Sequence, residues 1–202
     1  FLLRDACGGA ATNCLPGERP GDIYMDIAAE AVRLLRASSN PYAAEWLSIL
    51  GGSIPRAAAK PIGRDLAYGV TQWGCFRGLI AWWEEYMMKA GIDPFPFHPQ
   101  KALFCLNGHL WSAAKNIVVA AREATDWIRA CADILSGNGI HAEWTTPAGL
   151  PVLNRYNKYT SRRTVKLAFA GKLRMVGYGN QDPAKLDGRG QRQAMPANLI
   201  QS

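Results

Sequence analysis

The sequence predicts an α+β chain that is mainly helical, and three observations carry that prediction. Apolar residues recur at helical spacing through most of residues 22–140. After residue 140 the spacing gives way to alternation and turn residues. The basic charge gathers in the last quarter of the chain.

The elements follow in order. "GDIYMDIAAEAVRLLRAS" reads as a helix, with Asp22 and Asp26 toward its start and Arg33 and Arg36 toward its end, matching the macrodipole. Residues 37–55 read as a connection with a short helix around "AAEWLSIL". Residues 56–68 form a helix in which Pro61 is awkward. "GCFRGLIAWWEEYMMKAG" is a further helix whose Trp82, Trp83 and Tyr86 are read as core rather than as a ligand cage. "DPFPFHPQ" breaks the pattern, and residues 107–139 read as one long amphipathic helix. "HAEWTTPAGLPVL" has β formers around a Pro-Ala-Gly turn. In "TVKLAFAGKLRMVGY" the alternation predicts a β-hairpin turning at Gly171, with one apolar face and one cationic face. No internal repeat or low-complexity segment is visible.

Composition narrows the classes. A chain of 202 residues, 49% hydrophobic and 19% charged, is globular and long enough for a sizeable core in one large or two small domains. No apolar run approaches the ~20 residues that cross a bilayer, so no membrane span is expected. The start "FLLRDACGGAATNCLPGERPGD" meets charge and turn residues too soon for a signal peptide, and it lacks Met. The end "AMPANLIQS" stops on an apolar run with no closing helix, so both ends are read as cut. Five scattered cysteines without a CxxC pair are read as reduced, mostly buried thiols. His98, His109 and His141 have no ligand spacing, and no metal is expected to be held by this stretch alone.

Two features point to a polyanion. Arg56, Lys60, Arg64 and Tyr68 recur every fourth residue, which on a helix makes one stripe, and Gly69 follows. Adjacent cations repel, so the stripe is costly unless an anion meets it; a solvated basic face is the alternative. The net charge is +7, yet residues 1–150 carry 13 basic and 14 acidic side chains while residues 151–202 carry 10 basic and 2 acidic. In that last stretch Arg155, Lys158, Arg162, Arg163, Lys166, Lys172 and Arg174 interleave with Tyr156, Tyr159 and Phe169, which suits nucleic acid better than a merely solubilising surface.

These residues also carry a resemblance. Arg56, Lys60, Tyr68 and Gly69 reproduce the R-x3-K-x7-Y-G spacing of motif B in the single-subunit DNA-directed RNA polymerases of bacteriophages and mitochondria. "LLRDACGGAATNCLP", "DIY", "YGVTQWG", "LW" followed by "VVAAREATDWI", "WTTPAGLPV" and "PANLIQS" match further blocks in the family's order, along essentially the whole chain. The sequence thus resembles an internal piece of such an enzyme. The resemblance implies a palm-adjacent segment over residues 1–55, helical fingers with motif B over 56–140, and a β region over 141–202 containing a promoter-specificity-like hairpin.

The same resemblance implies the chemistry. A polymerase of this kind joins ribonucleoside triphosphates on a DNA template by two-metal nucleotidyl transfer, expelling pyrophosphate. The Mg²⁺ ligands are aspartates of motifs A and C, expected before Phe1 and beyond Ser202, so this stretch alone is expected to make no RNA. Arg56 would contact the outer phosphates. Lys60 would contact the inner ones and act as general acid toward pyrophosphate, since an ammonium supplies a proton as well as a charge. Tyr68, two turns below Lys60 on the stripe, would help select ribose, with Gly69 permitting close approach. Tyr24 matches a tyrosine near the insertion site, although a plain core or surface role is open to it.

For the hairpin, the resemblance implies promoter contact through Arg162, Arg163, Thr164, Lys166, Lys172, Arg174 and Val176, to base edges or phosphates. Gln201 stands where the family usually has a His that contacts nucleic acid and takes part in ribose selection. Expected partners are template and promoter DNA, RNA product and ribonucleoside triphosphates, for a monomeric enzyme away from membranes. The expected location is the cytoplasm of an infected bacterium, or else the mitochondrial matrix. A nucleic-acid-binding module without catalysis is the alternative function.

Overall fold

The computed structural model describes residues 5–66, 68–91, 94–95, 98–169 and 172–202. The side chains of Arg162, Phe169, Lys172, Leu173 and Arg174 lie outside the described set, as does the expected turn at Gly171. The chain is a mixed α+β protein that divides into two units, Phe1–Thr125 and Asp126–Ser202.

The first unit is helical. It contains α1 (Ala6–Ala11), α2 (Ile23–Arg36), α3 (Pro41–Ile49), α4 (Arg56–Leu66), α5 (Gln72–Ala90), α6 (Pro99–Ile117) and the opening turns of α7 (Val119–Gly137). Starts and stops have local causes. Asp22 caps α2 by accepting from the Tyr24 and Met25 amides. Asn40 caps α3 with Pro41 at the first helical position, and Thr71 caps α5. Gly91 closes α5 in the left-handed conformation (φ 76°).

Packing is organised around fully buried Trp46, whose indole N–H donates to the Ala102 carbonyl at 2.7 Å. The Trp83 and Phe95 rings lie 4.9 and 4.8 Å from it, centroid to centroid. Trp83 is thus core, and Trp82 and Tyr86 pack against that core half-buried, as the sequence implied. Around the cluster, Ile27, Leu35, Ile62, Leu79, Leu106 and Leu110 come from α2, α4, α5 and α6. Burial of such side chains, at roughly 1.5–3 kcal/mol each, is what holds these helices.

The expected single helix over residues 107–139 is two helices. α6 begins earlier, at Pro99, and ends at Ile117; Val118 leaves helical geometry with ψ 68° before α7 starts. The β-branched run Ile117-Val118-Val119 is a poor helix interior, which accounts for the break.

The second unit holds the rest of α7, β1 (Ala142–Thr145), β2 (Pro151–Asn154), β3 (Asn157–Phe169), β4 (Lys172–Leu186) and α8 (Gly188–Gln201). β1 and β2 pair antiparallel around the expected turn, where Gly149 takes φ 82° and the Thr146 amide donates to the Leu150 carbonyl. A small core of Ile128, Ala132, Ala142 and Met195 sits beside buried Gln191. Gln191 is satisfied on every side: its amide group donates to Ser136 Oγ and the Ile140 carbonyl, and its oxygen accepts from the Ala142 amide.

Helix α8 was not expected from the sequence, which read the end as lacking a closing helix. Gly188, Gly190 and Pro196 argue against a helix there. Asp187 overrides them by capping the Gly190 amide, while Gln191, Met195 and Pro196 are buried.

The strands β3 and β4 form a two-stranded antiparallel ribbon. Their register corrects the expected division into an apolar and a cationic face. Lys166 lies opposite Met175, Arg163 opposite Tyr178, and Val165 opposite Val176. Directly opposed residues share a face, so cations and apolar groups mix on both sides.

Candidate functional site

Helix α4 is the element to which the sequence assigned chemistry. Its buried face is Ala58, Ala59, Ile62, Gly63 and Leu66, packed toward α2, α5 and α6. The opposite face carries Arg56, Lys60 and Arg64, all exposed. The cationic stripe is therefore real and has a rigid backing. Two close approaches fix the helix. A Cβ on Gly63 would lie 2.8 Å from Ile27 Cδ1 and 2.9 Å from Tyr24 Cδ1, and one on Gly78 of α5 would lie 3.0 Å from Pro61 Cβ.

Pro61 does not break α4. It denies a donor to the carbonyl of Ala57, but Ala57 is exposed and water can take the donor's place.

The three cations have different partners. Arg56 donates from Nε to Asp22 Oδ2 at 2.6 Å, and its guanidinium carbon sits 4.7 Å from the centre of the Tyr24 ring. Arg56 above all holds the Asp22 carboxyl below the usual range, against desolvation, with smaller help from the Tyr24 and Met25 amides. Arg64 makes a forked pair with Asp65, Nε–Oδ1 at 2.5 Å and Nη2–Oδ2 at 3.1 Å. Asp65 raises the Arg64 guanidinium, with smaller contributions from Tyr24 and Tyr68, so both phenols lie within its electrostatic reach. Lys60 makes no ion pair or hydrogen bond with any described residue. The anions that relieve repulsion along the stripe are thus partly internal, and the uncommitted charge is the central one.

Tyr68 is not on the helical stripe as expected. α4 ends at Leu66, and Tyr68 lies in the following turn, 37% exposed, with its amide donating to the Asp65 carbonyl. Gly69 takes φ 79° there, a left-handed conformation that favours glycine, in the turn before α5. Tyr24 is half-buried between Gly63 and Arg56. The structure therefore brings Arg56, Lys60, Arg64 and Tyr24 onto one surface, with Tyr68 near Arg64.

Sequence reasoning missed Asp22 and Asp65 as partners of the stripe. Asp22 was read only as a helix-start charge, and its partner Arg56 lies 34 residues away in sequence. Arg163, Thr164 and Lys166 belong to the second unit and are exposed on the ribbon, and Gln201 is exposed at the last position of α8. The side chains of Arg162, Lys172 and Arg174 lie outside the described set.

All five cysteines are free, but only Cys75 and Cys105 are buried, while Cys7 and Cys14 are exposed. The expectation of mostly buried thiols is corrected accordingly. Burial, with a smaller contribution from Asp65, pushes Cys75 up to about 12, so it stays a protonated core thiol. Among the described residues no group of three or more His, Cys, Asp or Glu side chains could hold a metal ion, and no helix is long and apolar enough to cross a membrane.

The site is thus an exposed cationic surface on a core-backed helix. Comparison with known sequences supplies the family: the chain belongs to the DNA-dependent RNA polymerases, whose family model matches residues 1–202. It is 28% identical over 215 residues to DNA-directed RNA polymerase 2A of Nicotiana tabacum, covering 100% of this chain and 59% of that protein. It is 29% identical over 210 residues to the mitochondrial DNA-directed RNA polymerase 1 of Arabidopsis thaliana, covering 100% of this chain and 20% of the relative. To T7 RNA polymerase of Escherichia phage T7 it is 24% identical over 243 residues, covering 100% and 27%. Phage and organellar polymerases both appear, in keeping with the resemblance carried by the motifs.

Proposed function

We propose that this chain is the fingers and adjoining palm portion of a single-subunit DNA-directed RNA polymerase, and that α4 grips the triphosphate of the incoming ribonucleotide. One observation carries the reading. Lys60 stands exposed, without an ion pair or hydrogen bond among the described residues, between two arginines held by carboxylates on a helix backed by the core. An ammonium so placed can meet a phosphate and give a proton to departing pyrophosphate. Arg56 keeps the Nη edge of its guanidinium available for the outer phosphates while Nε is occupied. Arg56 is preorganised by Asp22 and Tyr24, and the backed helix sets the point from which Lys60 reaches, which is what makes such groups effective at a developing anion. Tyr68, in the turn that follows, faces the sugar.

Mg²⁺ would supply Lewis-acid chemistry to the reaction, and by the motif resemblance its carboxylate ligands would come from motifs A and C rather than from α4. On this reading what α4 contributes is charge and a proton.

The exposed ribbon would engage promoter and template DNA through Arg163, Thr164 and Lys166. The mixed faces favour a ribbon that enters a groove over one that lies flat on phosphates. Source decides whether the enzyme works in an infected bacterium or in an organelle.

The test is steady-state synthesis by the complete polymerase. Lys60→Ala should lower kcat by about a hundredfold, as loss of one preorganised donor does. Unchanged kinetics would refute the grip.

A further inference from the structure

Asp22 serves two masters. Oδ1 caps α2, accepting from the Tyr24 amide at 3.0 Å and the Met25 amide at 3.4 Å. Oδ2 accepts from Arg56 Nε at 2.6 Å. Its backbone neighbour is clamped as well. Asn13, in the left-handed conformation with φ 61°, donates from Nδ2 to the Gly21 carbonyl at 3.0 Å and accepts from the Gly21 amide at 2.7 Å. Gly21 is pressed so close to α1 that a Cβ would lie 2.5 Å from the Ala10 carbonyl oxygen. The carboxylate is therefore fixed by its own cap, by the clamp on the preceding residue and by the ring of Tyr24 beneath the guanidinium.

An exposed ion pair contributes little to stability. This one does something else: it takes the single Nε–H of Arg56, which fixes the plane of the guanidinium, and leaves the Nη edge available. We propose that Asp22 is a positioning residue for nucleotide binding, orienting Arg56 so that its free edge meets the outer phosphates. This rests on the reading of Arg56 as a phosphate ligand, and the experiment separates the two. It predicts that Asp22 acts only through Arg56, mainly on affinity and not on turnover.

Two variants isolate the effect in the complete polymerase. Asp22→Asn keeps a good cap and removes the charge, and Asp22→Ser keeps a cap but is too short to reach Arg56. Both should raise the KM for nucleotides and the inhibition constant of inorganic tripolyphosphate by about fivefold, with thermal unfolding near wild type. kcat should change by less than about twofold. In an Arg56→Ala background, Asp22→Asn should add nothing, because the partner is already gone.

A KM that stays the same or falls in Asp22→Asn would overturn the proposal, a fall meaning that the carboxylate competes with the phosphates. The same rise with and without Arg56 would also overturn it, since Asp22 would then act by another route. If Arg56→Ala raises KM and Asp22→Asn does not, the positioning role alone fails. If Arg56→Ala itself leaves KM and tripolyphosphate inhibition unchanged, the phosphate reading of Arg56 fails and the positioning role with it.

Discussion

Helix α4 and the β3–β4 ribbon are both rich in cations, yet they are built on opposite principles. In α4 one face is buried in the core and the other carries Arg56, Lys60 and Arg64, so each charge starts from a fixed backbone position. In the ribbon residues 158–161, 163–168 and 175–181 are exposed, and among the described residues no core backs either face. A rigid stripe with one uncommitted charge suits a small ligand of defined shape. An unbacked ribbon of mixed faces suits a large polyanion whose own shape completes the fit. Charge count does not separate the two; backing does.

Predictions follow from that contrast, in falling order of effect. The Lys60→Ala loss of turnover comes first, because it removes the charge and the proton assigned to the inner phosphates. Next is Gly63→Ala, which puts a methyl 2.8 Å from Ile27 Cδ1 and 2.9 Å from Tyr24 Cδ1. Overpacking of this kind destabilises by about 1–3 kcal/mol. Thermal unfolding of the purified chain should show it, and Tyr24 should shift beneath Arg56. An unchanged midpoint would mean that α4 is not held tightly against α2.

Tyr68→Phe probes the turn. The ring keeps its apolar area, so RNA synthesis should stay near normal. If the hydroxyl reports the ribose 2′-OH, preference for ribo- over deoxynucleotides should drop about tenfold, or ~1.4 kcal/mol of discrimination. An unchanged ratio would assign Tyr68 to packing.

The fold was legible where periodicity and caps agreed, as in α2, with Asp22 at one end and Arg33 and Arg36 at the other. It failed where tertiary burial overrode local signals. α8 forms through its Asp187 cap and buried Gln191 despite two glycines and a proline. Val118 interrupts a pattern whose apolar spacing alone gave no reason to stop. At the site, the spacing of Arg56, Lys60 and Arg64 gave the stripe correctly. It could not reveal Asp22, which lies 34 residues before its partner Arg56. Nor could alternation show which ribbon residues oppose one another, because register depends on a turn that composition does not fix.

The smallest effect concerns Glu30, which joins α2 to α6 by accepting from Asn116 at 2.9 Å while pairing with Arg33. Arg33 first, then Asn116, bring its carboxyl from 4.5 to about 2. A depressed carboxylate stabilises the fold above its unfolded value and loses that contribution as pH falls through the folded value. Between pH 4.5 and about 2, stability should therefore fall more steeply in the wild type than in Glu30→Gln. Parallel acid limbs would show that the pair contributes nothing.

The division of labour between helix and ribbon is tested most directly by one paired measurement on the complete polymerase. Nucleotide turnover and the salt dependence of promoter binding are measured for Lys60→Ala and for Arg163→Ala/Lys166→Ala. Lys60→Ala should lose turnover and keep the wild-type salt slope. The ribbon variant should keep its nucleotide kinetics while the slope falls by about one for each phosphate contact removed. If Lys60→Ala instead reduces the salt slope with turnover intact, the α4 stripe is a nucleic-acid surface and not a triphosphate grip.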